Sequence, residues 1–123
     1  MKITNVLELL DDNPKGSFLD LLPFNQHTFG TCNFTGTAPG WEVHTDTDEF
    51  FYVLSGRMEI TLLQDHGPQQ YVAPAGSAFV VPRGVWHKPG ARSGARFIHF
   101  TPGKSLYSSR DDPRRAQSSQ QDP

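Results

Sequence analysis

The sequence of 123 residues holds a single cysteine, Cys32. No disulfide can close within it, and a reducing, cytoplasmic setting is the expectation. It lacks any apolar run near the ~20 residues that a helix needs to cross a bilayer. It also lacks an excess of positive charge: a net charge of −2 and a pI of about 6.2 offer nucleic acid no electrostatic footprint. The opening Met-Lys-Ile-Thr-Asn-Val-Leu-Glu-Leu-Leu-Asp-Asp is acidic and interrupted, unlike a secretion signal. Disulfide scaffold, membrane helix and nucleic-acid binder are thus all disfavoured.

What the chain does have is punctuation. Gly 11 and Pro 10 together make about a sixth of it, above the typical ~12%, which suits short strands joined by turns better than a helical bundle. Hydrophobic residues are only 36%, but nine Phe, three Tyr and two Trp are enough to fill one small core. Met58, Ile60 and Leu62 alternate with Arg57, Glu59 and Thr61, the period of a strand with one apolar face. Phe50-Phe51-Tyr52-Val53-Leu54 is apolar on both faces, as in a strand buried between layers. Further strands are expected at 27–34, 69–73, 77–82 and 95–101, with turns at Ser55-Gly56, His66-Gly67-Pro68, Pro74-Ala75-Gly76, Pro82-Arg83-Gly84 and Pro89-Gly90. The pattern predicts an all-β, closed or double-sheet antiparallel barrel.

The ends differ from the middle. Residues 1–25 read as an arm packed on the domain, with Val6, Leu7, Leu9 and Leu10 in one or two helical turns before Asp12-Asn13-Pro14. Residues 26–103 carry the barrel. Residues 104–123 have Leu106 and Tyr107 as their only large apolar side chains, and are expected to form a polar, largely disordered tail. Charge is uneven too. Between 41 and 65 stand six acids (Glu42, Asp46, Asp48, Glu49, Glu59, Asp65) against Arg57 alone; between 66 and 110 stand Arg83, Lys88, Arg92, Arg96, Lys104 and Arg110 with no acid. Either the two surfaces are simply of opposite charge, or some of the acids hold a cation.

Chemistry concentrates in two segments. In Gly36-Thr-Ala-Pro-Gly-Trp-Glu42-Val-His44-Thr-Asp-Thr-Asp-Glu49, Glu42 and His44 are two apart and share one side of a strand, while Glu49 opens the next strand. The second segment is Gly76-Ser-Ala-Phe-Val-Val-Pro82-Arg-Gly84-Val-Trp-His87. Two imidazoles and one or two carboxylates on neighbouring strands make a mixed nitrogen and oxygen donor set for a divalent transition metal. Asp46 and Asp48 belong to the turn, where Asp bonds its own backbone.

These segments resemble the two motifs of the cupin superfamily. Gly36, His44, Glu49 and Gly56 fall at the spacing of the first motif; Gly76, Pro82, Gly84 and His87 fall at that of the second. About half the chain is covered. The resemblance implies a double-stranded β-helix, or jelly-roll, barrel and metal ligands at His44, Glu49 and His87. Two positions depart: Glu42 stands where the family usually has its first His, and Ala91 where the second motif ends in Asn. Glu42 is therefore a substituted fourth ligand, a catalytic acid/base off the metal, or the mark of a lost metal site.

The expected cofactor is one divalent transition metal ion (Fe, Mn, Ni or Zn). Phe51, Phe79 and Phe97, with His27 and His99, are the expected lining of a pocket around it. The resemblance implies oxygenase, isomerase or lyase chemistry on a small carbonyl- or hydroxyl-bearing molecule; the alternative is a non-catalytic binding or sensing cup. Trp41 and Trp86 adjoin the proposed ligands on the opposite side of their strands, a place for outer packing or a dimer contact. A homodimer is expected, with neither nucleic acid nor membrane as partner.

Overall fold

A computed structural model of the protein describes residues 1–114. In chain order it contains α1 (Val6–Asp11), β1 (Leu19–Phe24), β2 (His27–Thr37), β3 (Trp41–Val43), β4 (Glu49–Gln64), β5 (Gly67–Pro74), β6 (Ala78–Val81), β7 (His87–Phe100) and β8 (Leu106–Ser108). All pairings are antiparallel. One edge runs β1-β2-β7-β3-β8, and β4 joins β5, β6 and β7. The all-β architecture expected from the turn pattern is the one observed.

Two long strands do most of the shaping. β4 and β7 pair from Phe50↔Phe100 to Leu62↔His87, with register shifts at Val53/Ser55 and Gly56/Glu59. The expected turn at Ser55-Gly56 is thus a bend inside one continuous strand, and Pro89-Gly90 likewise lies within β7, paired with Ile60 and Glu59. Gly56 makes the bend possible. Its φ is 75°, and a Cβ there would collide with the Gly94 carbonyl oxygen on the facing strand. Two bent strands crossing where Gly56 packs on the Gly94–Ala95 backbone curl the sheet over itself.

The curl encloses one core of Cys32, Phe51, Val53, Met58, Ile60, Ala73, Val81, Ala91, Ala95 and Phe97. Inward residues alternate along β4 as the sequence pattern requires, but Phe50 and Tyr52 face outward, so this strand is not covered on both faces. Glu59 departs from the pattern in the other direction. It is buried, and its carboxylate accepts from the Arg92 amide with the Arg57 and Arg92 guanidinium groups each 3.9 Å away.

The ends of the barrel lie outside the limits 26 and 103. β1 begins at Leu19 and pairs with β2 through a tight turn at Asn25, whose φ is 57°; its acidic, Pro-containing sequence hid an edge strand. At the other end Leu106–Ser108 pair with Trp41–Val43, so part of the expected tail is a strand. The remaining expectation for the tail, over 115–123, falls outside the described residues. Helix α1 forms as the apolar spacing suggests, capped by Asn5 and tied to the sheet by Asp11–Arg96 at 2.6 Å. Among the described residues no helix is long and apolar enough to cross a membrane.

The bend yields a test. Gly56→Ala should cost about 2–4 kcal/mol, from the left-handed backbone plus the collision with Gly94. Gly36→Ala has a φ of 109° but open space around its Cβ, and should cost only about 1–2 kcal/mol. Urea unfolding of the two variants checks the difference; equal losses would mean that the Gly56–Gly94 crossing is not what bends the sheet.

Candidate metal centre

Four side chains from three strands and one turn meet at one point. Glu42 lies in β3, His44 just beyond it, Glu49 at the start of β4 and His87 at the start of β7. Pairing of Glu42 with His87 brings the segments together, and the Gly84 amide donates to the His44 carbonyl at 2.7 Å, which locks the two motif segments to each other. One ligand atom from each of the four residues lies within 4.8 Å of all the others.

Glu49 is the centre of this group. Its Oε1 lies 3.1 Å from His44 Nε2 and 3.0 Å from His87 Nε2, and its Oε2 accepts from the Thr101 hydroxyl at 2.8 Å. Glu42 stands farther off, 3.8 Å from His44 Nε2 and 3.6 Å from His87 Nε2. On the outer side of each ring, His87 Nδ1 reaches the Val85 carbonyl at 3.0 Å and His44 Nδ1 the Lys104 carbonyl at 3.1 Å. A carbonyl oxygen can only accept, so both Nδ1 atoms carry protons, and the two Nε2 atoms facing Glu49 are the ones that exchange a proton for a metal.

The spacing suits an ion. Donors held about 2.0–2.2 Å from one metal stand roughly 3 Å apart at right angles and about 3.4 Å apart at tetrahedral angles, the range that Glu49 and the two rings occupy. Two imidazoles and two carboxylates form a donor set of the type taken by Fe, Mn, Ni or Zn.

Without an ion, the same atoms bind protons. Burial works against a charged His87, but the Glu42 and Glu49 carboxylates outweigh it and lift its pKa to about 9. His44 is raised despite its burial, chiefly through Glu49. Burial would raise Glu49, yet hydrogen bonds from His44, His87 and Thr101 bring it down to about 2. The cluster thus favours protons on its imidazoles beside the buried Glu49 carboxylate, and a metal must displace protons to enter.

The centre opens into a cavity of about 780 Å³. Phe51, Phe97 and His99 line it, as do Glu42, His44 and Glu49. Two expected lining residues lie elsewhere. His27 is exposed at the β1–β2 turn and packs edge-on against Phe100 on the outer face, because its strand position points away from the barrel. Phe79 stands one strand farther off, stacked on Phe51 at 5.0 Å, and borders a second cavity of about 310 Å³. Trp41 is also not an outer residue. It is buried in the cavity wall with the Lys88 ammonium 4.5 Å from its ring centre.

Three contributors were not singled out in the sequence. Thr101 is the next inward position after Phe97 and His99, so one more step of alternation would have found it. Ser105, whose hydroxyl lies 3.1 Å from His44 Nδ1, carries no such signal. Tyr107 is the aromatic of a polar stretch; burial and then the Glu42 charge beside it raise its phenol. The acids divide as well. Asp46 accepts from the Lys104 amide and Asp48 from the Arg83 amide, both at 2.9 Å, so these two brace loops.

A family model described as a cupin domain matches residues 35–101, which is more than half of the chain. The protein is a cupin. A cupin-2 domain protein of Shewanella frigidimarina is 30% identical, with a TM-score of 0.67 over 78% of this chain and 87% of that one. A Neisseria meningitidis protein is 19% identical, with a TM-score of 0.68 over 80% and 97% of the two chains. Hydroquinone 1,2-dioxygenase from a Sphingomonas species, solved with 4-hydroxybenzoate bound, is 18% identical at a TM-score of 0.65 over 78% and 71%. The last two likenesses concern the fold. No curated protein matches the sequence.

The protonation of this cupin's centre sets a pH dependence. With chelator present, His87 stabilises the fold fully below pH 6.5, its ordinary value, and that contribution is lost as pH rises through about 9. Glu49 contributes above its ordinary 4.5 and loses its contribution as pH falls toward about 2. The melting temperature of chelated protein should therefore be highest between about pH 4.5 and 6.5 and drop by several degrees by pH 9. Melts across that range check it; a flat profile in chelator would show that the rings are not held as imidazolium.

Proposed function

We propose that this cupin binds one divalent transition metal through Glu42, His44, Glu49 and His87 and is an enzyme acting on a small hydroxyl- or carbonyl-bearing molecule. The observation that carries the reading is the convergence of four ligand atoms, with both imidazoles oriented by backbone carbonyls, at the wall of a cavity large enough for such a molecule. Bound there, the metal would polarise a substrate oxygen or bind O₂, the chemistry of oxygenases, isomerases and lyases. Glu42 in place of a histidine adds a second negative charge, so the four donors neutralise a divalent ion and a bound anion is drawn less strongly.

The chain's own residues have separable parts in this reading. His44 and His87 supply fixed nitrogen donors. Glu49, clamped by Thr101, supplies a fixed oxygen. Glu42 is the looser donor, 20% exposed and farthest from the rings, which favours a second role for it as the acid/base that exchanges a proton with bound substrate. The alternative, a non-catalytic cup for a small ligand, keeps the same cavity without turnover. A reducing, cytoplasmic setting suits the buried Cys32 thiol, which burial pushes up to about 11 and so leaves inert.

Elemental analysis of protein prepared without chelator tests the metal. Near-stoichiometric Fe, Mn, Ni or Zn is expected, absent from His44→Ala and His87→Ala. His87→Ala should lose more thermal stability in metal than in chelator, because the ion stabilises only the folded form; equal losses would make His87 a packing residue. Glu42→Gln separates its two parts. Metal retained with turnover lost assigns it the proton, and metal lost assigns it the fourth bond.

We also propose a homodimer formed through the outer face of the barrel. Phe29 and Phe100 stack there at 4.3 Å with Phe24 edge-on to both, and Phe50 bridges Phe100 to Val80 across three strands. Phe24, Tyr52 and Val80 are exposed, more apolar surface in one place than a monomer commonly leaves open. Light scattering at tens of micromolar should give twice the chain mass, and Val80→Glu should shift it toward one; a monomeric mass for the unaltered chain would reject the dimer.

A further inference from the structure

His99 is the one imidazole of the cavity that the metal centre does not use. Its Nε2 is fully buried and has no hydrogen-bond partner among the described residues. Its surroundings are rings: Phe18 edge-on at 5.7 Å, Phe97 at 5.9 Å and Phe51 at 6.3 Å. A polar ring left unpaired in such a wall is costly. The fold also makes room for it. Gly30 pairs with His99 across β2 and β7, and a Cβ at Gly30 would lie 2.5 Å from Nε2 and 2.7 Å from Cε1. Any other residue at position 30 would push the ring aside.

His99 is placed for work on a bound molecule. It faces Phe51 across the β4–β7 pair, one inward position away from Glu49 and Thr101, so it sits one row below the metal centre on the same wall. Burial lowers its pKa, against the raising influence of Glu49 and Glu42, so at neutral pH the ring is uncharged, with one N–H to donate and one lone pair to accept. No lysine or arginine is among the described residues lining the cavity, whereas Asp20, Glu42 and Glu49 are. An anionic group away from the metal would meet like charge and apolar rings with nothing to neutralise it.

We infer that His99 selects the ligand of this cavity: an uncharged, ring-sized apolar molecule bearing a hydroxyl group, whose hydroxyl pairs with the His99 imidazole while its body rests on Phe51 and Phe97. The inference rests on the reading of the cavity as a small-molecule site, but not on the presence of metal. Gly30 is then a positioning residue, acting only through the ring it accommodates.

The test uses phenol, toluene and benzoate as probes of the full chain in chelator, with affinities from calorimetry or ligand-observed NMR. Phenol is uncharged at pH 7 and differs from toluene by the one polar group in question. The ratio of phenol to toluene affinity should fall about 3- to 10-fold in His99→Phe, the loss expected for one neutral hydrogen bond. It should fall similarly in Gly30→Ala, which leaves His99 in the sequence but moves its ring. His99→Gln, which keeps a donor and an acceptor, should recover part of the ratio, and benzoate should bind more weakly than phenol throughout. Metal content should be unchanged in His99→Phe, and melts confirm that each variant folds. A ratio that stays the same in both His99→Phe and Gly30→Ala, benzoate binding better than phenol, or no phenol binding at all would overturn the inference. Failure to bind metal would leave this comparison standing, so the two readings fail separately.

Discussion

Glu49 places one carboxylate oxygen about 3 Å from two imidazole nitrogens inside the barrel, and much of the surrounding structure serves to make that tolerable. A buried carboxylate is expensive unless charge and hydrogen bonds surround it. Here Thr101 takes the other oxygen, and the two rings are anchored from behind by the carbonyls of Val85 and Lys104. Each anchor belongs to a different stretch of chain. The cluster therefore joins β3, β4, β7 and the segment before β8 at one point. The same arrangement keeps the donors aimed inward whether a proton or a metal occupies them.

That constraint explains which parts of the protein could be read from its residues. The two motif segments were legible because their spacing resembles that of the cupin motifs, and their glycines Gly36, Gly56, Gly76 and Gly84 all adopt positive φ, which fixes the chain at those points. The side chains between such fixed points can only point where the pleat sends them. His44, Glu49, His87 and the inward Phe51, Phe97 and His99 follow from spacing plus alternation. β1 and β8 were hidden for a physical reason. Both are short edge strands whose residues are mostly exposed, so they carry no apolar alternation and exist because a neighbouring strand offers them free amides and carbonyls. Ser105 and the Lys104 carbonyl lie beyond local pattern for the same reason: what they contribute is a tertiary contact.

The cavity wall has two chemical zones. Around Glu42, His44, Glu49 and His87, charges are paired and donors fixed. One row below, aromatic rings surround a single neutral imidazole over a glycine. A molecule spanning both zones would meet an electrostatic end and an apolar end, and its orientation would follow from which end carries its polar group. Fold membership alone would not supply this, since cupins share a barrel across different chemistries; here it comes from residues at positions the motifs do not specify.

The hydrogen bond from His44 to the Lys104 carbonyl spans 60 positions of sequence. At about 5–20 residues per second, a ribosome adds that length in roughly 3–12 s. Over that interval the nascent chain already contains Glu42, His44, Glu49 and later His87, but the backbone group that orients the His44 ring has not been made. The assembled set of donors thus requires the segment around Lys104 to be in place. Until then Glu42, His44, Glu49 and His87 belong to separate stretches of chain, and the four-donor cluster exists only in the folded barrel.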